Sequence, residues 1–257
     1  MEEMAICIDV AKCMGCRACQ VACKNWNCLG AEQTENIGSH ENPPDLSART
    51  WNRLVYRETL MPNGDVMWSF FNDRCRHCNP PSCAEGAEDV PGAVVWDDSG
   101  AVVYTDKTQE LDFDDFFSYC PYGIPRQDPE TGRIYKCTMC IDRITNGLEP
   151  ACVKACPTGA LNFGTKKQML RYARARISEL GPNANLYPGE DYNTLWVLPE
   201  SEESYNLARA TSARKHYRAA REPFSGVLAG AVFAVLGFLN FITQRRGKVA
   251  DTEDNNR

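Results

Sequence analysis

Cys13, Cys16, Cys19 and Cys23 are separated by two, two and three residues, and a looser version of the run recurs as Cys137, Cys140, Cys152 and Cys156 with Pro157 directly after. Between the two stand Cys75, Cys78 and Cys83, followed much later by Cys120 and Pro121. Closely spaced thiolates completed by a distant Cys-Pro are the ligand pattern of cubane iron–sulfur clusters, each of which takes four cysteines. Twelve of the fourteen cysteines fall into this pattern, enough for three [4Fe-4S] clusters. Such centres gain and lose electrons singly, so the chemistry these residues point to is electron transfer.

In two-cluster ferredoxins the fourth cysteine of each run ligates the other cluster. By that rule Cys156 completes the set Cys13, Cys16 and Cys19, and Cys23 completes the set Cys137, Cys140 and Cys152. Cys75, Cys78 and Cys83 then need a remote partner, and Cys120 is the one with Cys-Pro character. Cys7 and Cys28 are left over and are expected to be packed thiols. A second ferredoxin pair would need four more cysteines at positions now held by Ala87, Glu110, Phe113 and Phe116. All four are missing together, which reads as a four-cluster plan with one whole cluster deleted and two aromatics available to fill its space.

Structural zinc is the plainer alternative, because paired Cys-x2-Cys units also build four-cysteine zinc sites. Zinc needs neither a third cysteine at the next three-residue step nor a terminal Cys-Pro. A disulfide framework suits small secreted chains, and no signal-peptide pattern opens this one. A net charge of −6 gives no general basic surface for nucleic acid. The histidines are His40, His77 and His216. His77, inside the Cys75–Cys78 loop, is expected to tune the cluster there rather than to ligate it. Arg17 and Lys24 flank the first run and are candidates for raising a cluster potential, or for plain surface charge. Asp112, Asp114 and Asp115 read as a solvated face. No phosphate loop, dinucleotide fingerprint or nucleophile elbow is present, so substrate chemistry is expected on a partner.

The elements that must position the cysteines are short. Ala5–Val10 reads as a strand entering the first ligand loop, and Arg17–Trp26 has helical character. Residues 30–50 are too punctuated for regular structure. Trp51–Glu58 and Val66–Phe71 alternate as a hairpin, and Val94–Trp96 with Ala101–Tyr104 form a second. Leu161–Phe163 reads as a strand, and residues 166–180 as a surface helix stopped by Gly181-Pro182. Residues 183–203 read as irregular apart from Leu195–Leu198. Phe224–Thr243 holds twenty residues without a charge, the length of a single transmembrane helix. Basic residues stand on both sides of it, so they do not set its orientation.

The fold class expected is α+β: duplicated bacterial ferredoxin-like cluster domains with short β-hairpins and helices, plus one C-terminal transmembrane helix. Residues 1–72 with 120–165 make a first ferredoxin-like domain holding two clusters. Residues 73–119, with Cys120, make an inserted half-domain holding one. Residues 166–222 are a C-terminal extension, 224–243 the membrane helix and 244–257 a polar tail.

The phrases Cys16-Arg-Ala-Cys-Gln-Val-Ala-Cys23-Lys, Cys120-Pro-Tyr-Gly-Ile-Pro125, Lys136-Cys-Thr-Met-Cys-Ile-Asp-Arg-Ile-Thr-Asn-Gly147 and Cys156-Pro-Thr-Gly-Ala160 carry a resemblance. They look like the iron–sulfur (beta) subunits of molybdenum and tungsten bis-pterin oxidoreductases. The loop Thr34–Asp45 makes the chain most similar to the small subunit of formate dehydrogenase. The resemblance covers roughly residues 5–207. It implies a non-catalytic electron-transfer subunit working beside a large bis-pterin molybdenum or tungsten catalytic subunit. It also implies a membrane cytochrome b or quinone-reactive partner that receives the electrons, while the run Phe224–Thr243 implies contact with membrane lipid and the net charge of −6 no nucleic-acid partner. Residence at the cell inner membrane follows as an expectation, single-pass, with the cluster domain on the periplasmic side. The alternatives are the same role in a nitrate, polysulfide or sulfur-oxyanion reductase, a free-standing ferredoxin, or a zinc-stabilised anchoring scaffold.

Overall fold

The computed structural model describes residues 2–60, 63–205 and 207. The apolar run 224–243 expected to cross a membrane lies outside them, as does His216. Among the described residues no helix is long and apolar enough to span a bilayer.

In chain order, β1 (Met4–Asp9) leads through the first ligand loop into α1 (Ala18–Trp26). A long hairpin follows, β2 (Asn52–Leu60) with β3 (Val66–Arg74), delivering the chain directly to Cys75. The segment after it holds α2 (Ser82–Glu85), the small hairpin β4 (Val94–Trp96) and β5 (Val102–Tyr104), and α3 (Phe113–Ser118). Next come β6 (Arg126–Gln127), β7 (Ile134–Tyr135), α4 (Ile141–Ile144) and α5 (Ala151–Lys154). The chain finishes with β8 (Leu161–Thr165), α6 (Lys166–Leu180), β9 (Asn185–Tyr187) and β10 (Thr194–Leu198).

Strands β8, β1, β10 and β9 form one sheet in that order. Strand β1 runs parallel to β10 and antiparallel to β8, with Ile8 opposite Trp196 on one side and Leu161 on the other. Successive side chains of a strand face opposite ways. Ile6, Ile8, Trp196 and Leu198 accordingly enter the core that also contains Cys19, Cys152 and Phe71. Ala5, Cys7, Leu195 and Val197 face the other way and pack with Ala173 of α6. Because both faces are covered, the central strands read as continuous apolar runs. Helix α6 opens on a capping box, in which the Thr165 hydroxyl accepts from the Gln168 N–H and the Gln168 side chain accepts from the Thr165 N–H. Its Arg176 and Tyr172 donate at 2.7 and 3.0 Å to the fully buried carboxylate of Asp9, fixing the end of β1 where the ligand loop begins.

Three expectations change. Residues 183–203 contain the extra edge strand β9, antiparallel to β10. It was missed because three residues are too few to show a period. Cys7 is indeed packed, but Cys28 is exposed, one residue past the end of the α1 cap with φ +53°. Asp112 is more than a solvated charge, since its carboxylate accepts from the Asp115 N–H at 2.9 Å and caps α3.

At the positions lacking a fourth cysteine set, Ala87 and Phe116 are buried with Ala93, Val102, Tyr104 and Ile134, and Phe113 packs at the margin. Tyr104 meets Phe116 edge-to-face at 5.3 Å. Glu110 lies exposed and takes no part in this core.

Trp196 is fully buried, stacks on Phe71 at 5.3 Å and donates its indole N–H to the Asn72 carbonyl at 3.1 Å. Trp196→Ala is expected to cost about 3–5 kcal/mol, read as a lower denaturation midpoint. An unchanged midpoint would place the core elsewhere.

Candidate iron–sulfur centres

The three Cys-x2-Cys loops share one backbone device. The residue just before the second cysteine is left-handed in each: Gly15 at φ +71°, His77 at +47° and Met139 at +57°. That twist points its N–H back at the first sulfur. His77 N donates to Cys75 Sγ at 3.3 Å, Met139 N to Cys137 Sγ at 3.4 Å, and Gly15 N to Cys13. For L-residues this conformation costs about 1–2 kcal/mol, and His77 and Met139 are held in it with no exposed surface. Only Gly15 advertises the conformation in sequence.

The cysteines gather into three sets. Cys13, Cys16, Cys19 and Cys156 line one cavity. Cys23, Cys137, Cys140 and Cys152 line a second. Cys75, Cys78, Cys83 and Cys120 line a third. Helix α1 shows why a run is shared between two cavities. Cys19 and Cys23 are four apart, on one face and about 5–6 Å from each other, so one reaches the first cavity and the other the second. Cys152 in α5 and Cys156 just beyond it do the same in reverse, and α5 packs against α1.

Burial dominates the thiol chemistry. It pushes Cys19, Cys83 and Cys140 up to about 12 and Cys23 well above the ordinary thiol range. Such sulfurs become thiolates only when a positive group shares the cavity, and metal binding is what releases their protons. Cys156 runs the other way. Burial opposes its charge, but N–H groups of Leu161, Thr158 and Ala160 and the Thr158 hydroxyl hold its pKa below the ordinary value. Further donors reach Cys19 from Asn72 Nδ2 at 3.3 Å, Cys152 from Arg74 Nη1 at 3.1 Å, Cys23 from Asn27 Nδ2 at 3.6 Å and Cys120 from Ile124 N at 3.4 Å.

Zinc would draw four sulfurs to about 2.3 Å from a point. Among the described residues no three His, Cys, Asp or Glu side chains close on such a point. Arg74, on the wall of the second cavity, keeps Nη2 buried without a partner, a donor suited to an inorganic sulfide. Four sulfurs with a spare buried donor beside them are the donor set of a cubane cluster.

His77 is a strut. Its Nδ1 accepts from Val102 N at 3.0 Å, tying β5 to the Cys75–Cys78 loop. Burial, then Lys136 and Arg74, holds it far below the usual histidine range and therefore neutral. Arg17 lines the first cavity and donates to the Tyr56 hydroxyl at 2.9 Å. Lys24 does not face a cysteine set, because its ammonium is taken by Glu32 at 3.1 Å and by the Arg49 carbonyl at 2.7 Å. His40 is exposed beside Glu58. Sequence reading missed the buried cations beside the cysteine sets, among them Arg74 and Lys136, with Arg76 also on the wall of the third cavity. Arg74 is fully buried, and Lys136, on the wall of the third cavity, lies 4.5 Å from the Tyr104 ring centre and donates to the Cys137 carbonyl at 3.1 Å. Each directly precedes a ligand loop, and that adjacency was the available signal.

A profile of the 4Fe-4S dicluster domain matches residues 66–166. Formate dehydrogenase 2 subunit beta (cytochrome c-553) of Nitratidesulfovibrio vulgaris strain Hildenborough is 43% identical over 209 residues, covering 78% of this chain and 95% of that protein. The iron–sulfur subunit of nitrate-inducible formate dehydrogenase from Escherichia coli K12 is 43% identical over 178 residues, 69% of this chain and 60% of the relative. A probable anaerobic dimethyl sulfoxide reductase chain of Escherichia coli is 29% identical over 211 residues, 75% of this chain and 95% of the relative. The three cysteine sets agree with the iron–sulfur subunits that these relatives are named as. The chain belongs to the family of formate dehydrogenase iron–sulfur (beta) subunits, the non-catalytic electron-transfer members of an oxidoreductase complex.

Proposed function

We propose that this chain relays electrons through three [4Fe-4S] clusters within a membrane-bound formate dehydrogenase complex. The observation that carries the reading is the grouping of twelve cysteines around three separate cavities, four to each. Cys13, Cys16, Cys19 and Cys156 hold one cluster, Cys23, Cys137, Cys140 and Cys152 the second, and Cys75, Cys78, Cys83 and Cys120 the third. Each cluster supplies a one-electron carrier when bound. The chain's own residues fix the ligands, donate N–H groups to sulfur and exclude water.

The catalytic partner in this reading is a large molybdenum or tungsten bis-pterin subunit that oxidises formate. The acceptor is a membrane cytochrome b or another quinone-reactive subunit. The uncharged run Phe224–Thr243 supports a single-pass anchor in the inner membrane; the periplasmic side for the cluster domain is what the resemblance implies. The core of Ala87, Phe113 and Phe116 supports three clusters rather than four, since apolar side chains occupy the remaining ferredoxin position.

Three measurements test this. Anaerobically purified full-length chain is expected to hold about twelve irons and as many acid-labile sulfides. About sixteen irons would contradict the deleted position, and about eight would remove the third site. The intact complex is expected to reduce a dye with formate as donor. Dye oxidation driven by nitrate or dimethyl sulfoxide without any formate-dependent reduction would assign it to a reductase. Deleting residues 224–257 is expected to release the complex from washed membranes, and full retention would contradict the anchor.

A further inference from the structure

Asn72 and Arg74 are two apart on β3 and therefore share a face of the strand. Both are buried, at 1% and 0% exposure. The Asn72 amide donates to Cys19 Sγ at 3.3 Å, and its oxygen accepts from Arg74 Nε at 2.6 Å. Arg74 Nη1 in turn donates to Cys152 Sγ at 3.1 Å. Asn52 orients the amide, accepting from Asn72 Nδ2 through Oδ1 while its own Nδ2 donates to the Cys19 carbonyl at 3.1 Å. An unbroken line of hydrogen bonds thus joins a sulfur of the first cysteine set to a sulfur of the second.

We infer that Asn72 and Arg74 are positioning residues that tie the first two centres together and set their potentials separately, Asn72 acting on the centre of Cys19 and Arg74 on that of Cys152. The inference rests on the three-cluster reading above. An arriving electron adds one negative charge to a centre and makes or breaks no bond. A fixed buried cation favours that reduced level, and its influence falls off with distance. Arg74 is such a cation. A guanidinium stays protonated in proteins, so the charge is fixed. Its second terminal nitrogen remains buried and unpaired on the wall of the second cavity. Hydrogen bonds to ligand sulfur raise a potential in the same direction. Asn72 brings a neutral donor to the first centre, and the third has Lys136 and Arg76 as buried cations on its wall, Arg76 paired with Asp73.

The test is a redox titration of the purified complex, followed by low-temperature electron paramagnetic resonance, with iron measured on every sample. Arg74→Gln is expected to move downward the one signal that Cys152→Ser also perturbs, leaving the other signals of this chain in place. Arg74→Lys, which keeps the charge but loses the fork, is expected to restore part of the shift. Asn72→Leu is expected to lower instead the signal that Cys16→Ser perturbs. Iron well short of about twelve per chain in the unsubstituted protein would sink the three-cluster reading itself. With iron complete, an Arg74→Gln titration in which no signal moves, or all move equally, would overturn this inference alone. The unsubstituted complex gives an independent reading that needs no variant to fold. With guanidinium-¹⁵N arginine incorporated, the reduced signal of the Cys152 centre is expected to show a ¹⁵N hyperfine coupling, and no such coupling on any signal would overturn the proposal.

Discussion

Gathering four cysteine sulfurs around each of three cavities is the constraint around which this molecule is arranged. Burial pushes the thiols of Cys19, Cys83 and Cys140 up to about 12, and neighbouring sulfurs push the same way. In the proposed three-cluster reading, these buried sulfurs become thiolates only when a metal group enters, which would couple cluster binding to folding. The left-handed residues Gly15, His77 and Met139 answer part of that cost by turning an N–H onto the first sulfur of each loop. Backbone strain at two non-glycine positions is set against ligand preorganisation.

The same constraint explains the topology. Helices α1 and α5 lie side by side, and each carries or adjoins two cysteines four residues apart, so two short helices serve two cavities together. The sheet β8-β1-β10-β9 supports them from beneath, presenting Ile6, Ile8, Trp196 and Leu198 to the core that contains Cys19 and Cys152. The hairpin β2–β3 enters between the first two sets with Asn52, Asn72 and Arg74, then runs straight into Cys75 of the third. One strand thereby touches all three sets of sulfurs, either through its side chains or through the loop it starts.

Much of this was legible in the residues. Cysteine spacing separates the three sets because ligand geometry tolerates few alternatives, and the apolar runs Ala5–Val10 and Leu195–Leu198 mark two of the strands. The legible features are those that follow from period and spacing. What stayed hidden depends on contacts between distant segments. The left-handed turns at His77 and Met139 are held by packing and leave no glycine as a marker. Lys24 has the same residue type and closeness to a ligand run as a tuning residue, yet Glu32 takes its charge. Arg74 looks like any hairpin arginine until the fold encloses it. Cys28, expected to be packed, is exposed because the chain turns outward just after α1.

The central claim is that twelve cysteines hold three four-iron groups in three separate cavities. Anomalous scattering at the iron absorption edge, from crystals of the anaerobic complex, tests it most directly. The account predicts three four-iron peaks within this chain, each enclosed by one of the sets that line the cavities beside Cys16, Cys140 and Cys83. A fourth peak at Ala87 and Phe116, or a single-atom peak at any of the three cavities, would contradict it.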